Sequence, residues 1–363
     1  MNAERLHAIA NKIQEDLSKS SLIKLSQQVL DSLQKYVNNP QNSNVEKTFS
    51  DNLSKLYQKL EESEINDFSP AWLQLVEEIG GNELLGIELK VRIEKIFNRN
   101  QITPSVALEE FKSINDELNQ FKNAIDNITG GFNKLKIGKE DLEPGECELG
   151  ILVPRNYVNN KLNNFSDELD ELDFIVKNFK ELATGNREDI PIKTISSSDL
   201  MVFLDILPKV GACLAIAVER IIALYKQILE IRKLHNELEN QGIPEENLEG
   251  VKDFSNNRMS EGITEVVEYI MDNYYKGRDN NRKNELKNSL RITLNKIANR
   301  VDQGFNFEIR VEKEEAEKNG EENQEQNEDY NTIIDASKEL RFLKLSGNPI
   351  LSLPEKSEDD ENN

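Results

Sequence analysis

A chain of 363 residues with 37% apolar side chains can bury a sizeable core, and its net charge of −22 argues against general nucleic-acid binding and against docking on anionic lipid. Two cysteines, Cys147 and Cys213, with no CxxC motif, argue against a disulfide framework or a thiolate zinc site. The charge is uneven: from Glu312 to Asn363 there are 16 acidic and 6 basic residues, a net of −10 on one seventh of the chain.

The opening residues, MNAERLHAIANKIQEDL, are amphipathic and contain acids, unlike a secretory signal, so the cytoplasm is the expected compartment. Leu6, Ile9, Ile13 and Leu17 line one helix face, and Val45, Phe49, Leu53, Leu56 and Leu60 line another, with a loop over Asn38–Asn44 between them. Ser69-Pro70 and Thr103-Pro104 predict two helix starts, each a capping residue ahead of a proline. Gly80-Gly81 and Gly130-Gly131 predict helix ends. Ala107, Phe111, Ile114, Leu118, Phe121, Ile125 and Ile128 step by four and three, as do Leu162, Phe165, Leu169, Leu172, Val176 and Phe179. Such seams predict helices packed at shallow angles, in a bundle or coiled-coil hairpin.

Alternation predicts strands at CELGILV (147–153) and FNFEIRVE (305–312), with a weaker case at IPIKTIS (190–196). Strand, helix and strand in that order predict one right-handed βαβ crossover, closed by the last strand into a sheet of about three strands. The segment from Asp199 to Leu238 is the most apolar part of the chain. Asp205, Lys209, Glu219 and Arg220 interrupt it, and a transmembrane span needs about 20 apolar residues in a row. It therefore predicts a buried central helix, about 48 Å long from Lys209 to Asn240, kinked or newly begun at Pro208 and stopped at Gly242 and Pro244.

The fold class expected is mainly α: helical bundles or hairpins, a small sheet in the second half and a disordered acidic C-terminal tail. The domains expected are helical over 1–138 and mostly helical with a small mixed sheet over 139–311. An acidic disordered linker over 312–331, a short apolar segment over 332–355 and an acidic end over 356–363 follow. The apolar segment matches one leucine-rich repeat in spacing, but without a second copy it forms no solenoid. It is expected to fold back on the body or to serve as a tethered recognition motif.

Chemistry is sparse. His7 and His235 sit on helices expected to be half exposed, with no triad or metal pair beside them. No phosphate-loop, dinucleotide, zincin or hydrolase motif occurs. The acids of DELDELD (167–173) are expected to point outward, as are the bases between Arg278 and Arg300, and NITGGFNKLKIGK (127–139) reads as a helix end and turn. No catalytic, cofactor-binding or metal-ligating residue is nominated. The leading expectation is a non-catalytic helical scaffold or adaptor that binds a protein partner or itself. Helix faces would carry the binding, with Phe342, Leu343, Leu345, Ile350 and Leu353 as candidate contact residues. The alternatives are a membrane-active protein with a sheltered apolar helix and an enzyme with a carboxylate metal site.

Overall fold

The computed structural model describes residues 3–196, 200–277, 279–313, 322–340, 342–343 and 345–356, with side chains omitted for 322–325. The fold is mainly α with a small sheet. The chain divides into two compact units, Met1–Asp141 and Leu142–Asn363.

The first unit contains α1 (Ala3–Lys19), α2 (Leu22–Asn38), α3 (Ser43–Glu61), α4 (Pro70–Glu78), α5 (Gly86–Arg99) and α6 (Pro104–Leu135), with one 3-10 turn at Glu64–Asp67. Ser69 caps α4, its hydroxyl accepting from the Trp72 N–H, whereas Thr103 makes no such bond at the start of α6. The stripe Ala107–Phe111–Ile114–Leu118–Phe121–Ile125 is buried, with α6 packing against α1, α2 and α5. Contrary to the predicted stop at Gly130-Gly131, α6 runs on to Leu135. Each mid-helix glycine costs about 1 kcal/mol, and packing beyond the pair offsets it. The Phe132 ring lies 5.2 Å from that of His7.

The second unit is built on a four-stranded antiparallel sheet of order β2-β3-β1-β4: β1 (Cys147–Val153), β2 (Ile192–Ser196), β3 (Leu200–Ile206) and β4 (Asn306–Val311). One strand more than expected is present: every neighbouring pair is antiparallel, so the sheet is not mixed, and β1 and β2, joined through α7, run parallel to each other with β3 between them. The extra strand, β3, lies at the start of the Asp199–Leu238 segment. Met201, Val202, Phe203 and Leu204 are all buried, so they show no alternation, and a short unbroken apolar run looks the same in a strand as in a buried helix. With β3 seated between β1 and β2, the two outer neighbours of the crossover never pair.

Pro208 opens a new helix, α8 (Pro208–Asn240). Around it pack α7 (Leu162–Thr184), α9 (Glu249–Tyr274), α10 (Asn280–Asp302), α11 (Glu322–Glu339), β1 and β4. Val210, Ala212, Cys213, Leu214, Ala215, Ala217, Val218, Ile221 and Ile222 are at most 4% exposed, so the oily segment is shielded by the chain's own neighbouring elements. Among the described residues no helix is long and apolar enough to cross a membrane.

Part of the expected disordered linker is helical. Residues 314–321 and 357–363 lie outside the described residues, but 322–331 form the first half of α11. Tyr330, Ile333, Ala336 and Leu340 supply the buried face that holds this helix on α8, enough apolar surface to offset the ordering entropy of its polar start.

Candidate functional site

The C-terminal residues Ser346–Glu355 have no helix or strand of their own. They lie extended across α8, α9 and α10, and side chains of those helices satisfy their main-chain groups. On α8, the Arg232 guanidinium donates from Nη2 to the Gly347 carbonyl at 2.8 Å and from Nε to that of Ser346 at 3.3 Å. Asn236 Oδ1 accepts from the Asn348 N–H at 2.8 Å, and both Glu239 carboxylate oxygens accept from the Asn348 side-chain amide. On α10, one oxygen of Asp302 accepts from the N–H groups of both Ile350 and Leu351, each at 2.7 Å. Asn299 reads Leu353 from both sides, accepting its N–H at 2.9 Å and donating to its carbonyl at 3.0 Å. Asn295 donates to the Pro354 carbonyl at 2.8 Å. On α9, Asn256 accepts from the Ser352 N–H at 2.9 Å and donates to its hydroxyl at 3.3 Å.

Two of these helices present the same spacing. Arg232, Asn236 and Glu239 stand at i, i+4 and i+7 on α8, and Asn295, Asn299 and Asp302 do so on α10. Positions so spaced share one helix face, so each helix offers a polar ridge to the segment between them. The side chains of Ile350, Leu351 and Leu353 are buried, while Ser346, Gly347, Asn348, Ser352 and Pro354 face solvent. Gly347 has φ +76°, and a Cβ there would collide with the Asn236 side chain, so the groove requires glycine at this position.

The floor of the groove is charged and buried. Asp302, fully buried, takes Arg232 Nη1 at 2.7 Å and the Tyr225 hydroxyl at 2.6 Å on the oxygen not used by the segment. Burial and the adjacent Asp302 charge push the Tyr225 hydroxyl well above its ordinary pKa. At the far end, Arg300 Nε and Nη2 grip the two Glu168 oxygens at 2.6 and 3.0 Å, with both side chains buried. Burial raises the Glu168 carboxyl even beside that guanidinium. The Glu355 carboxylate of the segment sits 3.5 Å from both Arg300 Nη1 and Lys296 Nζ, and accepts from the Asn299 amide at 2.8 Å.

Phe342, Leu343 and Leu345 are half-buried and Ile350 and Leu353 buried, so the apolar segment folds back on its own unit, one of the two courses expected of it. Other residues stand where the sequence did not place them. Glu168 of the DELDELD run and Lys296 and Arg300 of the basic stretch point inward rather than to solvent, because the acid and the bases meet across α7 and α10. Both histidines are 2% exposed. His7 Nδ1 lies 3.0 Å from the carbonyls of Ile137 and Gly138. His235 is buried on α8, and among the described residues neither of its ring nitrogens has a hydrogen-bond partner.

Among the described residues little else concentrates chemistry. A cleft of about 290 Å³ lies beside the N-terminus of α8, lined by Val176, Lys180, Glu188, Asp205, Leu207 and Val210. Lys180 there is tied to the Glu188 and Asp189 carbonyls. Among the described residues no three His, Cys, Asp or Glu side chains gather as a metal ion requires. The chain matches no protein-family model, no curated protein and no solved structure.

Proposed function

We propose that this protein is a non-catalytic helical scaffold or adaptor that engages other polypeptides through the groove of its second unit. One observation carries the reading: three helices aim six side chains at the main chain of an extended segment. Helix interiors disfavour asparagine by several tenths of a kcal/mol relative to alanine, yet Asn236, Asn295 and Asn299 occupy them and spend their amides on a strand-like visitor. Main-chain hydrogen bonds with pockets for alternate side chains are the general physics of peptide recognition. The segment already in place occupies the groove as an intramolecular stand-in for such a visitor.

Cross-linking in the source cells, with the full chain as bait, tests this reading. Lys233 on α8 is exposed and Lys252 on α9 half-buried, on two of the three helices that form the groove. A partner polypeptide is expected to cross-link to this pair in preference to lysines of the first unit such as Lys47 and Lys55. Cross-links spread evenly over both units, or none above background, would contradict the reading.

A further inference from the structure

The bonds that hold Ser346–Glu355 specify a ligand. Nine main-chain donors and acceptors are read directly, at Ser346, Gly347, Asn348, Ile350, Leu351, Ser352, Pro354 and, through both its groups, Leu353. Such contacts are blind to side-chain identity and set only an extended course. Selection comes from three features. Glycine is required at 347, where φ is positive and Asn236 leaves no room for a Cβ. Apolar side chains at 350, 351 and 353 enter the core. An acid at 355 meets Arg300 and Lys296.

A free peptide presents the same groups as a tethered one, and tethering adds only local concentration, of about millimolar order for a short connection. The segment's side at 346–348, 352 and 354 faces solvent, so its departure withdraws only the Ile350, Leu351 and Leu353 side chains from the core, and α8 stays covered by α7, α9, α10 and α11. Resting on the interaction-module reading, we propose that the groove between α8, α9 and α10 is a peptide-binding site for segments of another protein. Its ligands carry the pattern Gly-x-x-apolar-apolar-x-apolar-x-acid, and this chain's residues 346–355 are its built-in competitor.

The test uses the full chain and a fluorescein-labelled peptide of residues 345–356, followed by anisotropy. Gly347→Val weakens the tethered segment while leaving every groove side chain in place. The peptide is expected to bind this variant at least tenfold more tightly than it binds the unaltered chain, at one peptide per monomer. Adding Asn299→Ala should weaken that binding at least tenfold, and a peptide carrying the Gly→Val change should fail to bind. Equal binding to both chains, no binding to a Gly347→Val chain of native circular dichroism, or indifference to the peptide's glycine overturns the proposal. So does uptake of the segment only from a second chain, as a dimer, without binding of free peptide. Should Gly347→Val not fold, the chain ending at Leu345 takes its place. Binding or recovery of native circular dichroism on adding peptide supports the site, and neither happening overturns it. Failure here with groove cross-links intact sinks the ligand pattern alone. Peptide binding without any cellular cross-link sinks the adaptor reading alone.

Discussion

Asp302→Ala removes the group on which the groove converges. The substitution leaves the Arg232 guanidinium, 4% exposed, without its carboxylate, and breaking a buried ion pair in this way costs about 3–5 kcal/mol. It also strips the Ile350 and Leu351 N–H groups of their acceptor, at about 1–3 kcal/mol for each buried donor left unmade. The sum, about 5 kcal/mol or more, rivals the whole stability of a typical domain, about 5–15 kcal/mol. Cys147 and Cys213 report the outcome, since both thiols are buried in the second unit and burial raises both above their ordinary pKa. In the unaltered chain neither should react with a disulfide reagent at neutral pH without denaturant. In Asp302→Ala both should react, at a rate that reveals the lost free energy of opening. A loss below about 2 kcal/mol would mean that Asp302 does not tie α8, α10 and the segment together.

Arg300→Met should destabilise the second unit by about 3–5 kcal/mol, because it leaves Glu168 buried and unpaired. Glu168→Leu combined with Arg300→Met should recover most of that loss in urea unfolding, and a double variant as unstable as the single one would contradict this. Gly211→Ala on α8 directs a methyl group to 2.5 Å from Cys147 Sγ and 3.2 Å from an Ile333 methyl, and should cost about 1–3 kcal/mol by overpacking. A change of less than a few tenths in thermal unfolding would refute the fit. In the first unit, burial holds the Asp16 carboxyl above its ordinary value, although the Glu64 N–H and the Ser63 hydroxyl donate to it. A carboxyl whose folded pKa is raised costs stability above that value and returns it as the pH falls through it. Asp16→Asn should therefore raise Tm at pH 7, with a gain that shrinks as the pH drops toward the unfolded carboxyl range. A gain that grows on acidification would reverse the sign and refute the assignment.

Helical periodicity is enough to place α6, α7 and α8, because their buried faces repeat at three and four residues over long runs. Pro208 marks the start of α8, but not what precedes it. The run Met201–Leu204 is buried on both faces, and a strand of that kind carries no period to read. The turn of Glu168 and Arg300 toward each other depends on contact across 132 positions, which spacing along either helix cannot show. Of the groove, the signal present in the sequence was the pair of ridges Arg232–Asn236–Glu239 and Asn295–Asn299–Asp302. Polar residues at i, i+4 and i+7 read as solvated faces when taken alone, and only the helix-interior asparagines among them hint at a buried task. Apolar spacing identified Ile350 and Leu353 as residues that need cover, while the side chains that provide it are read off the fold.

Native-state hydrogen exchange of the full chain addresses the central claim most directly: residues 346–355 dock as a ligand does, firmly but separably. The amides of Ile350, Leu351, Ser352 and Leu353 should be protected well beyond an unstructured chain, and should exchange together through an opening that leaves the α8 amides between Val210 and Ile222 protected. Unprotected amides at 350–353 would contradict the docking. Protection equal to that of α8 would contradict the separability, making the segment an inseparable part of the core.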